Sequence, residues 1–329
     1  MSVLVTGGAG YIGSHTLKEL TDRGEKVLVV DNLERGHRQA VGGAAFIEGD
    51  LTDAPFLEHL FSNHTIESVI HFAAHSQVGE SVQDPLRYYR NNVVGTLTLL
   101  DAMVRWGVGR MVFSSTAAVY GEPQNTPIDE EDPLLPQNPY GETKRVIEEA
   151  LHWMNHAHGL RSISLRYFNA AGAHLSGQIG EDHRPETHLI PIVLDVALGK
   201  RPHLTVFGRD YNTGDGTCIR DYVHVSDLAQ AHLLALDQLR QGHPGTSYNL
   251  GNGQGFSVLE VVETARNVTG KDIPIQWGER RPGDPAVLVA ASEKARTKLG
   301  WSPQHSDLKT ILETAWQWHR NNPEGFTAP

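Results

Sequence analysis

Thr6-Gly7-Gly8-Ala9-Gly10-Tyr11-Ile12-Gly13 follows the apolar run Val3–Val5 and opens a stretch of helix-forming residues. Glycines at 7, 10 and 13 permit a tight turn, close approach of the backbone to a pyrophosphate, and close packing of a helix on a sheet. The N-terminus of that helix, with Tyr11 and Ile12 in its first turn, offers amides and a positive dipole end to phosphates. Working outward, Lys26–Asp31 is a second apolar run that ends in an acid 24 residues after Gly7. An acid there accepts from a ribose diol and repels a 2′-phosphate, which favours NAD over NADP. Arg35 and Arg38 stand close enough in sequence to soften that repulsion. Asp50-Leu51, at the end of a third run, is placed to hold the adenine.

The runs Val3–Val5, Lys26–Asp31, Ala44–Ile47, Ser68–Ala73, Arg110–Ser115 and Ser162–Tyr167 are short and apolar, most without polar alternation. That is the pattern of strands covered on both faces. Helix signals fall between them. Asp84-Pro85 opens a helix to about Trp106, and Asn138-Pro139 opens another to about His158. The expected fold is α/β, a doubly wound parallel sheet of Rossmann type with a second, smaller α/β domain. The division expected is 1–172 for NAD and 173–329 for substrate, with later segments free to return to the first unit. In the second part, 173–187 reads as loop, a helix follows Pro191, and Leu204–Phe207 and Ile273–Trp277 read as strands. Ser226 is the expected N-cap of a helix over Asp227–Leu239. Ser257-Val-Leu-Glu260 is a capping box, and two helices close the chain.

Composition narrows the function. The 329 residues are 39% apolar and 20% charged, enough for a sizeable core and against wholesale disorder. A net charge of −11 without a basic block disfavours nucleic acid. A single cysteine, Cys218, points to a reducing compartment, and no apolar run reaches the ~18 residues of a membrane span. The chain enters its first strand at Val3, which leaves no room for a leader. A cytoplasmic protein is the expectation.

Tyr140-Gly-Glu-Thr-Lys144 puts a phenol and an ammonium at i and i+4, on one helix face. A free tyrosine, pKa ~10, is a poor base at neutral pH; bringing it to ~7 takes ~4 kcal/mol. A neighbouring Lys⁺ and an oxidised nicotinamide are the expected source. The helix begins after the strand end Ser114-Ser115-Thr116, at the sheet edge where ligands bind in such folds.

Taken together these segments resemble the extended short-chain dehydrogenase/reductases, and within them the UDP-hexose 4-epimerases. Further matches are Asp31-Asn32-Leu33, Phe72-Ala73-Ala74, Val78-Gly-Glu-Ser81, Asn91-Asn92, Ser114–Gly121, Tyr167-Phe168-Asn169, Gly214-Asp-Gly216 and Arg220–Val225. The resemblance implies Tyr140 as the base at the sugar 4-hydroxyl, Thr116 as its hydrogen-bonding neighbour, and Lys144 on the nicotinamide ribose. Gly7, Gly10, Tyr11, Ile12, Gly13, Asp31, Asn32, Asp50, Leu51, Phe72, Ala73, Ala74, Asn91, Tyr140, Lys144 and Phe168 would bind NAD. It also implies substrate contacts at Thr116, Tyr140, Asn169, His188, Leu189, Val206, Phe207, Arg220, Arg281, Asp284 and Val287. The implied reaction interconverts UDP-glucose and UDP-galactose by oxidation at C4, rotation of the ketose and hydride return.

Departures matter too. Ser76 stands where some relatives carry a lysine. Val287 stands where some carry a tyrosine that excludes N-acetyl groups, so N-acetylhexosamine substrates are an open extension. Ala117-Ala118 replace the acid pair of the 4,6-dehydratases, which argues against water elimination. Epimerases of other nucleotide sugars, pentoses or uronates, stay open, as does a catalytically dead dinucleotide sensor. His152 and His156 at i, i+4 lack a third ligand, so no metal is expected. Apolar residues wrap the 84–106 and 139–158 helices beyond one face, and the resemblance implies a homodimer through them.

Overall fold

Val3, Leu4 and Val5 divide their side chains between two cores, as successive residues of a doubly covered strand must. The computed structural model describes residues 1–123, 125–281 and 284–326. Pro282 and Gly283, inside the Arg281–Asp284 segment named above, lie outside the described residues. The strands are β1 (Ser2–Thr6), β2 (Val27–Asp31), β3 (Ala45–Glu48), β4 (Ile66–His71), β5 (Arg110–Thr116) and β6 (Arg161–Tyr167). They continue as β7 (Asn169–Ala171), β8 (Leu204–Phe207), β9 (Ile219–His224), β10 (Thr246–Leu250), β11 (Gly255–Ser257), β12 (Ile275–Gly278) and β13 (Val287–Leu288). A seven-stranded parallel sheet runs β10-β6-β5-β4-β1-β2-β3, so the doubly wound α/β expectation holds.

Helices α1 (Tyr11–Asp22) and α8 (Val225–Arg240) pack on each other beside the sheet. Leu20, Leu228, Leu236 and Leu239 meet Val3, Val5, Ile70, Val112 and Leu165 there. The helices Ala54–Asn63, Gly95–Arg105 and Pro139–His158 bring Leu57, Leu60, Leu99, Met103, Ile147 and Leu151 to Leu4, Val69, Met111 and Phe113. A separate core, with Val193, Leu194, Val206, Val261 and Ile311, holds the residues around the pair β8–β12 and the small sheet β11-β9-β13, with β7 beside β9. The strand β10 and helix α8, both beyond residue 172, belong to the large sheet and its cover. Among the described residues no helix is long and apolar enough to cross a membrane.

Asp84 and Asn138 cap their helices as expected, accepting from the amides of Arg87 and Gly141 at 3.2 and 2.9 Å. The 84–106 helix is not continuous: Tyr89–Val94 is a π-helical turn. Such turns insert one residue and re-aim side chains, here that of buried Asn92. Ser226 is not the cap of α8. His224 takes that place, its Nδ1 accepting from the Ser226 amide at 3.1 Å, because an imidazole nitrogen serves as well as a hydroxyl. Pro191 lies inside the first turn of the helix Leu189–Ala197, where a missing N–H costs nothing. The Ser257–Glu260 capping box is present.

Candidate active site

Parallel strands end together, so their C-terminal residues share one edge. Gly7, Asp31, Asp50, Phe72, Thr116 and Phe168 follow or end β1 to β6 in turn and line that edge. Gly7 has φ +72, and a Cβ there would meet the Ala73 backbone nitrogen at 2.4 Å. A Cβ on Gly13 would meet the Gly7 carbonyl oxygen at 2.2 Å. The turn therefore packs this tightly only with glycine at both positions, and as a cradle at a helix N-terminus it fits a dinucleotide pyrophosphate. Ile12 packs into the core beneath it, and the Tyr11 hydroxyl donates to the Gly172 carbonyl at 2.6 Å, which ties the turn to the end of β7.

Asp31 is buried and accepts the amides of Ala9 and Leu33 at 3.0 and 2.9 Å. Burial pushes its carboxyl up, against those two amides. Asn32 donates to Asp50 at 3.0 Å. Leu51 is buried in the core, and Ala73 and Ala74 are half-buried. Ser76 is exposed. Asp31→Ala is expected to weaken NAD binding about 10- to 100-fold, the loss of a charged hydrogen bond of about 1.5–3 kcal/mol. It is also expected to bring NADP affinity closer to that of NAD. Titration of the variant with both cofactors checks this; an unchanged preference contradicts it.

Tyr140 lies in the first turn of α6 (Pro139–His158), buried. Burial pushes its phenol up from the ordinary tyrosine value, and a hydrogen bond with the Thr116 side chain pulls the other way. Thr116 Oγ1 also accepts the Ala118 amide at 3.1 Å. Lys144 is buried one turn on; its Nζ donates to the Ser114 carbonyl at 2.8 Å and stands 4.9 Å from the centre of the Phe113 ring. Burial lowers its ammonium to about 7, with the Glu148 carboxylate opposing. In the protein alone the phenol is thus raised by burial, and Lys144 is not the group that offsets this.

Several supporting residues carry no role in the sequence reading. Asn92 donates to the His75 carbonyl at 3.0 Å and to Thr143 Oγ1 at 3.1 Å. Thr143 in turn donates to the Tyr140 carbonyl at 2.7 Å. The neighbouring Asn91 turns its amide to Asn92 at 2.9 Å. Ser114 hydrogen-bonds the Tyr167 hydroxyl. The buried Arg166–Glu148 pair sits between β6 and α6, and Glu148 accepts from Ser115. Glu148 stands four residues after Lys144, a helical spacing that signals the contact.

The expected substrate residues fall into groups. Asn169 donates to the Asp221 carbonyl at 2.8 Å, in register with β9. Arg220 pairs with Asp284, and Leu288, next to Val287, lies opposite Arg220 across β13–β9. The Arg281 guanidinium lies 4.1 Å from the centre of the Phe207 ring. Phe168 packs near Val119, Tyr120 and Ile128. Leu189 borders the core. Two expectations change. The Val206 side chain is 1% exposed inside that core, so only its backbone can meet a ligand. The His188 ring is engaged with Glu181 and Glu186.

The model of the NAD dependent epimerase/dehydratase family matches residues 3–251. The chain belongs to that family. The expected NAD dependence is borne out by this membership. A protein of Halalkalibacterium halodurans named UDP-glucose 4-epimerase is 57% identical over 99% of this family member and 98% of its own length. A crystal structure of a UDP-glucose 4-epimerase superposes with a TM-score of 0.98 at 55% identity, covering 100% of both chains. The Brucella ovis UDP-glucose 4-epimerase in complex with NAD gives 0.94 at 48% identity, over 96% of this chain and 97% of that one.

Proposed function

We propose that this family member interconverts UDP-glucose and UDP-galactose. The observation that carries the reading is the convergence of Tyr140, Thr116 and Lys144 at the carboxyl end of β5, beside the glycine cradle. Tyr140 Oη takes the proton of the sugar 4-hydroxyl, and Thr116 Oγ1 orients the reacting oxygen. NAD held here supplies the acceptor for the C4 hydride and, reduced, its donor. Lys144, fixed by the Ser114 carbonyl, holds the nicotinamide ribose, and Asp31 the adenosine ribose. Return of hydride to the opposite face of C4, with return of the Tyr140 proton to the 4-oxygen, would invert that carbon with no net redox change.

Asn169, Phe207, Arg220, Arg281 and Asp284 grip the UDP half, and the hexose turns about its diphosphate link. Guanidinium forks suit the phosphates. Ala117 and Ala118 form a short turn after Thr116 and offer no acid, which favours epimerisation over dehydration within the family. The division of labour largely follows chain order: the cofactor residues lie before residue 172 and, apart from Asn169, the nucleotide residues lie after it. Val94 and Leu97 on one helix and Trp153 on α6 are exposed, and we infer a homodimer that buries them. With one cysteine and no partner for it, the enzyme suits the cytoplasm.

The test is direct: incubation with UDP-glucose or UDP-galactose without added NAD is expected to give the other sugar. No conversion, even with NAD supplied, sinks the proposal. Val287, half-buried on β13, extends it. Where a larger ring would wall the pocket, valine leaves space beside the sugar 2-position. The enzyme is expected to turn over the UDP-N-acetylhexosamine pair as well. Val287→Tyr is expected to lower that activity about 10- to 200-fold and spare the unacetylated pair. Absence of acetylated turnover in the unmodified enzyme contradicts the extension.

A further inference from the structure

Residues 180–188 form a strap across the cofactor turn. The Arg35 guanidinium donates to the Arg184 carbonyl at 2.9 Å, Gln77 donates to the Pro185 carbonyl at 3.0 Å, and His37 bonds the Asp182 carbonyl at 2.8 Å. Within the strap, Glu181 is buried and the Glu186 side chain mostly buried, and His183 and the half-exposed His188 turn their rings to them. Each offers one ligand atom, and these atoms all lie within 4.8 Å of one another. We propose that these four side chains form a divalent transition-metal site of the zinc type, which pins the strap over the Gly7–Gly13 turn.

The geometry supports it in three ways. Both imidazoles aim Nδ1 at the same carboxylate oxygen: His183 and His188 each stand 3.0 Å from Glu181 Oε1. Glu186 approaches them at 3.7 and 2.8 Å. Four ligands at zinc distances around a tetrahedron are separated by about 3.3 Å, and the observed separations bracket that edge. Charge is the second support. Glu181 is 4% exposed and the Glu186 side chain 11%, and the rings of His183 and His188 are 5.0 Å apart. Burial opposes protonation of His183 and His188, yet the Glu181 and Glu186 carboxylates raise both imidazoles, so the metal-free cluster balances its own charge and a dication would replace the two imidazole protons one for one in charge. Third, the ligands are held from outside. Glu186 Oε1 accepts the amides of Thr187 and His188 at 2.7 and 2.8 Å, and Trp318 donates to the Glu181 carbonyl at 3.1 Å. Such outer contacts fix a metal ligand before the metal arrives. Nitrogen and carboxylate donors in a small closed set suit zinc or cobalt(II) over calcium.

The edge of the His183 ring faces Tyr11, centre to centre 6.2 Å, and Tyr11 opens the helix that receives the pyrophosphate. The metal is structural: it has no open position in the reaction and closes the strap over the cofactor.

The test uses the full-length protein. After dialysis against a chelator, zinc or cobalt(II) alone is added, and unbound metal is removed by gel filtration. About one zinc per chain is expected to remain. Cobalt(II) is expected to give the visible absorption of a four-coordinate tetrahedral ion. His183→Ala/His188→Ala is expected to lose both signals. His152→Ala/His156→Ala, on the surface of α6, is expected to keep them. Metal retained equally by the strap variant, or no more than trace zinc on the unmodified protein, overturns the proposal. If the strap variant does not fold, thermal melting of the unmodified protein decides. Added zinc is expected to raise Tm, and no shift overturns the proposal.

Discussion

Tyr140→Phe is expected to lower kcat about 10²- to 10⁴-fold while NAD stays bound. The change removes one oxygen and keeps the ring. The anchors of the site survive it, because Lys144 is held by the Ser114 carbonyl and Thr143 by the Tyr140 backbone. The variant also alters the pH profile. Burial raises the Tyr140 phenol, so the fraction able to accept a proton grows as pH rises. In the unmodified enzyme kcat is therefore expected to climb on the alkaline side. That limb should vanish with the hydroxyl. Turnover near the unmodified rate, or an unchanged profile, removes Tyr140 from the role of base.

Arg166→Leu is expected to cost about 3–5 kcal/mol of stability. Its guanidinium is buried, donating to Glu148 through Nε at 3.0 and 3.2 Å and to the Tyr120 hydroxyl at 2.8 Å. Tyr120 in turn donates to Asn249 of β10, so one network joins α6, β6 and β10. Removing the arginine leaves Glu148 as a buried, uncompensated carboxylate. Urea unfolding measures the loss, and Arg166→Leu with Glu148→Leu should recover part of it. A change under about 1 kcal/mol in the single variant contradicts this reading. The freed Glu148 charge also favours the Lys144 ammonium, which burial now holds at about 7, so the catalytic helix feels the loss.

The cofactor half was legible because its chemistry is local in sequence. A cradle that admits only glycine, an acid at a strand end and a phenol four residues before a lysine each announce themselves over a few positions. What escaped depends on neighbours distant in sequence. The resemblance implies Val206 as a substrate contact, yet its side chain packs into the core of the second part. Asn92 was visible as a residue, but the π-helical turn that aims it inward is set by packing. The partner of Glu148, Arg166, lies 18 residues on and across a strand, where no periodicity points. Among the eighteen histidines, His152 and His156 stand out by their helix-face spacing. The pair in an irregular loop carries no period and became visible only when the strap was folded.

The route of the chain bears on how a sugar can turn over inside this enzyme. Leaving β6 at Tyr167, the chain builds β7, returns to the sheet with α8, completes the sheet with β10, then leaves again for β11 and returns once more at Trp301. Two bodies joined by one or two linkers can open like a shell about a hinge. Here the chain crosses several times between the large sheet and the smaller part, so the two are joined by more than a single linker. For the proposed reaction the ketose is then expected to swing within one frame rather than inside a shell that opens about one hinge.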